Sequence, residues 1–176
     1  VNLTGPAASG TLLTNADFPL EHEYFVDAAR TSTGDGTEQY PFLTVDEAFD
    51  SINADAVVHA AAGEYALTNY IVNVAAGTYS GALTLNNAKH VRVQGTGVIL
   101  SGTIALTQTQ QGGDYYSRVE FIGMEGFRAE KGPSFTISGA ITATRNNDSL
   151  TYVTFKGAYL TSGGTFTATG DGTWVT

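Results

Sequence analysis

Val91-Arg92-Val93-Gln94-Gly95, Val119-Glu120-Phe121-Ile122-Gly123 and Val153-Thr154-Phe155-Lys156-Gly157 are three versions of one phrase. Each alternates apolar and polar residues and stops at a glycine, the pattern of a half-buried strand with a tight exit turn. A second short apolar run follows each phrase, at residues 103–106, 134–137 and 165–168. Residues 70–74 followed by 82–85 read as a less regular first copy. The phrases are 28 and 34 residues apart, and polar inserts at 107–117 and 144–149 account for the irregularity. Strand pairs repeated with insertions confined to one part of the unit predict a solenoid of stacked coils with loops on one side.

The alternation also assigns directions. Val91, Val93, Val119, Phe121, Val153 and Phe155 are expected inside, with Arg92, Glu120 and Thr154 outside at equivalent places on successive coils. Parallel neighbours lie about 4.8 Å apart. Arg92 and Glu120 are therefore expected to form an exposed ion pair worth at most ~1 kcal/mol.

Composition narrows the rest. A chain of 176 residues is one domain that buries roughly 70% of its unfolded surface. Short β-branched and aromatic runs separated by glycine favour all-β structure. With no cysteine, disulfides and thiolate metal sites are excluded, and the redox compartment is not legible. A net charge of −9, with eight Lys and Arg scattered along the chain, argues against a nucleic-acid surface. No apolar run approaches the roughly 20 residues that span a bilayer, and no signal peptide opens the chain. Val1 is read as following a removed initiator Met, with the chain close to full length; the sequons at Asn2 and Asn147 then read as chance matches.

Residues 1–23 lack periodicity and are expected to form an extended arm rather than a solvated tail, because Leu12, Leu13, Phe18, Pro19 and Leu20 supply apolar anchors for a neighbour. The single domain follows at 24–176, with Tyr24-Phe25-Val26 as its first strand. Thr33-Gly34-Asp35-Gly36-Thr37 is a turn, in which glycine supplies positive φ and Asp bonds nearby amides. Thr44 with Glu47 three residues on is a capping box, and Val45, Ala48, Phe49 and Ile52 follow at helical spacing. A helix is predicted over 45–51, covering the open end of the solenoid.

These segments, Tyr24-Phe25-Val26-Asp27, Gly34-Asp35-Gly36-Thr37, Pro41-Phe42-Leu43-Thr44-Val45 and Ala48-Phe49, resemble in that order the opening of right-handed parallel β-helix proteins of the pectate-lyase-like superfamily. The run from Val72 through Gly77-Thr78-Tyr79 to Gly81 looks like that superfamily's strand-to-GTY turn. Ala61-Ala62-Gly63-Glu64-Tyr65 reads as a degenerate coil or an internal duplication. The resemblance covers residues 24 to about 102 and implies a fold; it is shared by polysaccharide lyases, surface proteins, and bacteriophage spikes, fibres and virion proteins.

A lyase of this kind implies clustered Asp for Ca²⁺ with an Arg or Lys base, and Ca²⁺ takes six to eight oxygen ligands. The repeated strands carry one outward acid, Glu120, and one outward Arg, Arg92. The carboxylate pair of a glycosidase, about 5 to 9.5 Å apart, is not nominated by any repeated spacing. His22, His59 and His90 are isolated, without metal-ligand spacing. No catalytic residue, cofactor or metal is therefore expected. Tyr115 and Tyr116 in the insert suit sugar stacking or, better, a partner surface, and Trp174 suits a cap on the last coil or a subunit contact.

About four coils make too short a groove for a lyase, and a short solenoid gains by associating with copies of itself. The resemblance to phage virion β-helices implies the same. The expectation is a non-enzymatic homotrimeric bacteriophage capsid decoration (cement) protein at the virion surface. It would grip the major capsid protein or another virion protein, with Leu12, Leu13, Phe18, Leu20, Tyr115, Tyr116 and Trp174 as partner-binding residues. The alternative is a tail spike or fibre segment, or a carbohydrate-binding or lyase-like β-helix.

Overall fold

The structure, a computed structural model, describes residues 20–62, 68–86, 90–108, 116–124, 135–145, 150–160, 166–169 and 173–175. Strand β1 (Leu20–Val26) and helix α1 (Val45–Ala62) come first. Four circuits of three strands follow: β2 (Thr68–Val74), β3 (Gly77–Tyr79) and β4 (Leu83–Asn86); β5 (His90–Gly95), β6 (Val98–Leu100) and β7 (Ile104–Gln108); β8 (Tyr116–Gly123), β9 (Phe135–Ile137) and β10 (Ile141–Arg145); β11 (Leu150–Lys156), β12 (Ala158–Leu160) and β13 (Phe166–Thr169). Strand β14 (Thr173–Val175) ends the series. The first sheet runs β1-β2-β5-β8-β11-β14, the second β3-β6-β9-β12, and the third β4-β7-β10-β13. Every pairing between these strands is parallel. The chain is thus mainly β, and it visits the three sheets in turn.

One core lies between the sheets. From the first sheet Val72, Val93 and Phe121 stand in register and are fully buried. The second adds Tyr79, Leu100 and Ile137, and the third Leu83, Ile104 and Ile141. Phe121 stacks on Phe155 one strand further on, with ring centres 5.7 Å apart. Each such side chain contributes about 1.5–3 kcal/mol relative to exposure.

Each circuit has three strands where two apolar runs were expected. Residues 104–106 and 166–168 fall on the third sheet and 135–137 on the second, so the runs were not equivalent copies. Gly77-Thr78-Tyr79, anticipated as a turn, is strand β3. The first strand starts at Leu20, four residues ahead of Tyr24 and within the segment assigned to the arm.

The corner between second and third sheets is set by glycine. Gly81, Gly102 and Gly139 stack so closely that a Cβ on Gly102 would overlap the Gly81 carbonyl, and one on Gly139 the Gly102 carbonyl. The amides of Ser101 and Ser138 donate to Tyr79 O and Leu100 O, each 2.9 Å, tying successive circuits together beside this corner.

Helix α1 begins as the capping box requires. Glu47 N donates to Thr44 Oγ1 (3.2 Å), and Glu47 Oε2 accepts from the amides of Thr44 (2.9 Å) and Leu43 (3.0 Å). It runs to Ala62, well beyond the predicted end at 51, so Ala61 and Ala62 belong to the helix and not to a coil. Tertiary contacts carry it on. Asn53 donates through Nδ2 to Thr84 O and accepts from Asn86 N, both 2.8 Å. Its amide thereby imitates a strand along β4, the edge of the third sheet. Before the helix, Asp35 Oδ1 accepts from Thr37 N (3.0 Å) and Oγ1 (2.7 Å) around Gly36 at φ 84°, the turn expected there.

Gly102→Ala is expected to cost about 1–3 kcal/mol in urea unfolding, because backbone stands where the methyl must go. Gly77→Ala, whose Cβ meets nothing nearer than 3.5 Å, should stay within about 0.5 kcal/mol. Equal losses would refute the corner geometry. Asn53→Ala should cost about 1–2 kcal/mol through two lost bonds to a strand edge, read by the same measurement.

Candidate functional site

The outer face of the first sheet gathers most of the described charge on the strands. Register places Arg92 of β5 opposite Glu120 of β8, and Glu120 opposite Thr154 of β11. The Arg92–Glu120 pair expected from alternation is present, with Arg92 Nε 3.5 Å from Glu120 Oε2. It is one of three. Lys156 Nζ donates to Glu120 Oε1 at 2.7 Å, and Arg118 Nε lies 3.7 Å from the same oxygen. The cations look scattered in sequence because each sits on a different strand or two residues along; the fold brings three of the eight together.

Glu120 points outward as expected, yet only 7% of it is exposed. The long side chains of Arg92, Arg118 and Lys156 cover it while keeping their own heads about half-exposed. Burial pushes the Glu120 carboxyl up, but the hydrogen bond and charge of Lys156, with the charges of Arg118 and Arg92, outweigh it and hold the group below the ordinary carboxylate range. Glu120 is therefore an ionised hub, committed to its neighbours.

Beside the hub is a hollow of about 190 Å³ lined by Glu21, Asn69, Ile71, His90, Arg92 and Arg118 among others. That is below the 300 Å³ or so at which small-molecule pockets begin. A second hollow of about 340 Å³ lies at one end of the same strands between Phe25, Pro41, Val74 and Met124, and Met124 is 61% exposed.

A second polar cluster sits under α1. His22, read as isolated in sequence, has Nδ1 3.2 Å from Asp55 Oδ2, and its ring centre is 5.6 Å from that of Tyr70. Burial, then the Asp55 carboxylate, push the Tyr24 and Tyr70 phenols up, so both stay protonated. Tyr70 is buried and Tyr24 partly so, and both phenols keep their protons beside the Asp55 carboxylate. Only the pairing in space exposes this cluster, since residues 22 and 55 share no motif.

Among the described residues no group of three or more His, Cys, Asp or Glu side chains could hold a metal ion, and no helix is long and apolar enough to cross a membrane. Leu12, Leu13, Phe18 and Tyr115 lie outside the described residues. Leu20, Tyr116 and Trp174 fall in β1, β8 and β14 of the first sheet, where backbone position alone is described; Tyr116 pairs with Leu150 and Trp174 with Tyr152. No family model, no curated protein and no solved structure matches the chain.

Because the folded Glu120 carboxyl lies below its unfolded value of about 4.5, its contribution is fully present above pH 4.5 and is lost as pH falls through the lower folded value. Glu120→Gln should cost about 1–2 kcal/mol at pH 7, and its deficit should shrink below pH 4.5. A pH-independent deficit would rule out the ionised hub. Lys156→Met, which removes the one short bond, should cost about 1 kcal/mol and Arg92→Gln under about 0.5.

Proposed function

We propose that this chain is a short right-handed parallel β-helix of the pectate-lyase-like kind. Its role is that of a non-enzymatic structural protein, a homotrimeric decoration (cement) protein on a bacteriophage capsid. The observation that carries the reading is where charge is missing. The outward row of the second sheet is Thr78, Ile99, Thr136 and Tyr159. The third sheet shows Thr84, Ala105, Thr142 and Thr167 in one row and Asn86, Thr107 and Thr144 in the next. In a chain with 17 acidic residues, these described outward rows of the second and third sheets carry no charged side chain. Ile99, Tyr159 and Leu160 are 41%, 40% and 36% exposed on the second.

Burying such faces against copies of the same chain avoids the large cost of stripping water from ions. It also shelters flat β surface from uncontrolled association. The committed Glu120 fits a gripping surface better than a polysaccharide groove, which favours a decoration protein over a spike or lyase-like module.

Light scattering of the purified protein should give three times the 18.4 kDa chain mass. Immunogold labelling should place the protein on the head of the particle that carries it. A monomer at micromolar concentration, label on the tail alone, or unsaturated products from capsular or pectic polysaccharide would each overturn the reading.

A further inference from the structure

The third sheet carries an outward pattern that the core behind it does not require. Two ranks run along the stack. One is Thr84, Ala105, Thr142 and Thr167, and the other is Asn86, Thr107 and Thr144, with Thr169 next in register. Of the seven side chains described in these ranks five are threonine, none is charged, and all are exposed except Ala105 and Thr107, which are partly so. Strand propensity favours threonine, but it acts on all three sheets alike. The corresponding outward positions hold Arg92, Glu120 and Thr154 on the first sheet, and Thr78, Ile99, Thr136 and Tyr159 on the second. Propensity alone therefore does not explain two matched ranks on one face.

Stacking turns the ranks into a net. Neighbours within a rank are one parallel-strand spacing apart, about 4.8 Å, and the two ranks, two residues apart along each strand, are separated by about 6.6 Å. The net is held firmly. Behind it Leu83, Leu85, Ile104, Leu106, Ile141 and Ala143 are 3% exposed or less. Where the strands enter the sheet, Leu83 N donates to Thr103 O and Ile104 N to Ala140 O, both at 2.8 Å, next to the glycine corner that fixes the rise of each circuit. Threonine is itself stiff about χ1, so each methyl and hydroxyl keeps its place. Waters bonded by such hydroxyls take up the spacing of the net, and no charged group stands among them to hold a hydration shell of its own.

We infer that the outer face of the third sheet binds ice. The oxygens on the prism face of hexagonal ice repeat in two perpendicular directions at close to these two distances, so water ordered on the net is already in the arrangement of the crystal. Each hydroxyl and methyl contributes little, but a rigid array engages its sites together and loses little entropy in doing so. This function goes beyond the assembly reading and uses a different face, since Ile99, Tyr159 and Leu160 place the apolar self-contact on the second sheet.

The test is thermal hysteresis of the full chain, the gap between the melting and the growth temperature of a seed crystal, with partition into a slowly grown ice shell as a second readout and circular dichroism to confirm folding. Wild type should hold the seed against growth, give it facets and enrich in the ice fraction. Thr107→Lys/Thr142→Lys, in the middle of the net, should abolish all three effects. Thr78→Lys, exposed on the second sheet, should leave them unchanged. Ala105→Thr, which fills the gap in the first rank, should widen the hysteresis. A folded wild type without hysteresis or ice partition overturns the inference, and so does an activity lost equally in Thr78→Lys. Light scattering of the same samples separates this face from the assembly reading. An assembly that Thr107→Lys/Thr142→Lys dissolves makes the third sheet a subunit contact and refutes the ice face. A monomeric wild type that shapes ice overturns the assembly and leaves the ice face standing.

Discussion

Backbone approaches backbone at the corner of the second and third sheets, and the rest of the molecule conforms to that spacing. At Gly102 and Gly139 the carbonyl of the glycine one circuit earlier stands where a Cβ would go, with no room for a side chain. Successive circuits must then lie one parallel-strand spacing apart on every side, about 4.8 Å. That spacing sets Val72, Val93 and Phe121 in a column, and likewise Tyr79, Leu100 and Ile137. A column of like residues packs well when it is apolar and inside. The same constraint leaves the two ends of the stack as open strand edges, which is why α1 carries a side chain, Asn53, that bonds β4 as a further strand would.

How much of this was legible depends on strand length. The first-sheet strands β5, β8 and β11 have six to eight residues, enough for alternation to declare itself, and both their directions and the Arg92–Glu120 register follow from it. Strands β3, β6, β9 and β12 have three residues each. Three residues cannot show a period of two against chance, so a three-strand circuit reads as two. The better signal was Ser-Gly, at 80–81, 101–102 and 138–139, which marks the corner where the backbone is tightest. The helix was legible at its start, where Thr44 and Glu47 act locally, and not at its end. Asn53 and Asp55 are poor helix formers, and what keeps them helical is β4 in one case and His22 in the other.

The Glu120 hub shows the same division between near and diagonal neighbours. Directly opposed residues follow from register alone. Arg118 and Lys156 reach Glu120 from two residues along its own strand and diagonally from the next, distances that only long side chains span. Their effect goes beyond an added pair. A single exposed ion pair contributes little, but three cations folded over one carboxylate remove it from water and fix its charge. An outward position thereby becomes one of the least exposed polar groups among the described residues.

Stacking also governs where charge is tolerated. In a parallel column each side chain meets its counterpart on the next circuit, so a row of like charges repels along its length, and only an alternation such as Arg92 with Glu120 is stable. The first sheet takes that route. The described outward rows of the second and third sheets take the other and carry no charge, using Thr, Asn and Ala with Ile99 and Tyr159. On β1 the column continues with Glu21 and Glu23, which stand opposite Asn69 and Ile71 and meet no like charge there; residues 1–67 as a whole hold eleven of the seventeen acids. Stacking thus favours circuits that are close to neutral, with six acids against seven Lys and Arg in residues 68–176, and it places the ionic contacts of the described strands on one sheet, where Glu120 holds three cations at once.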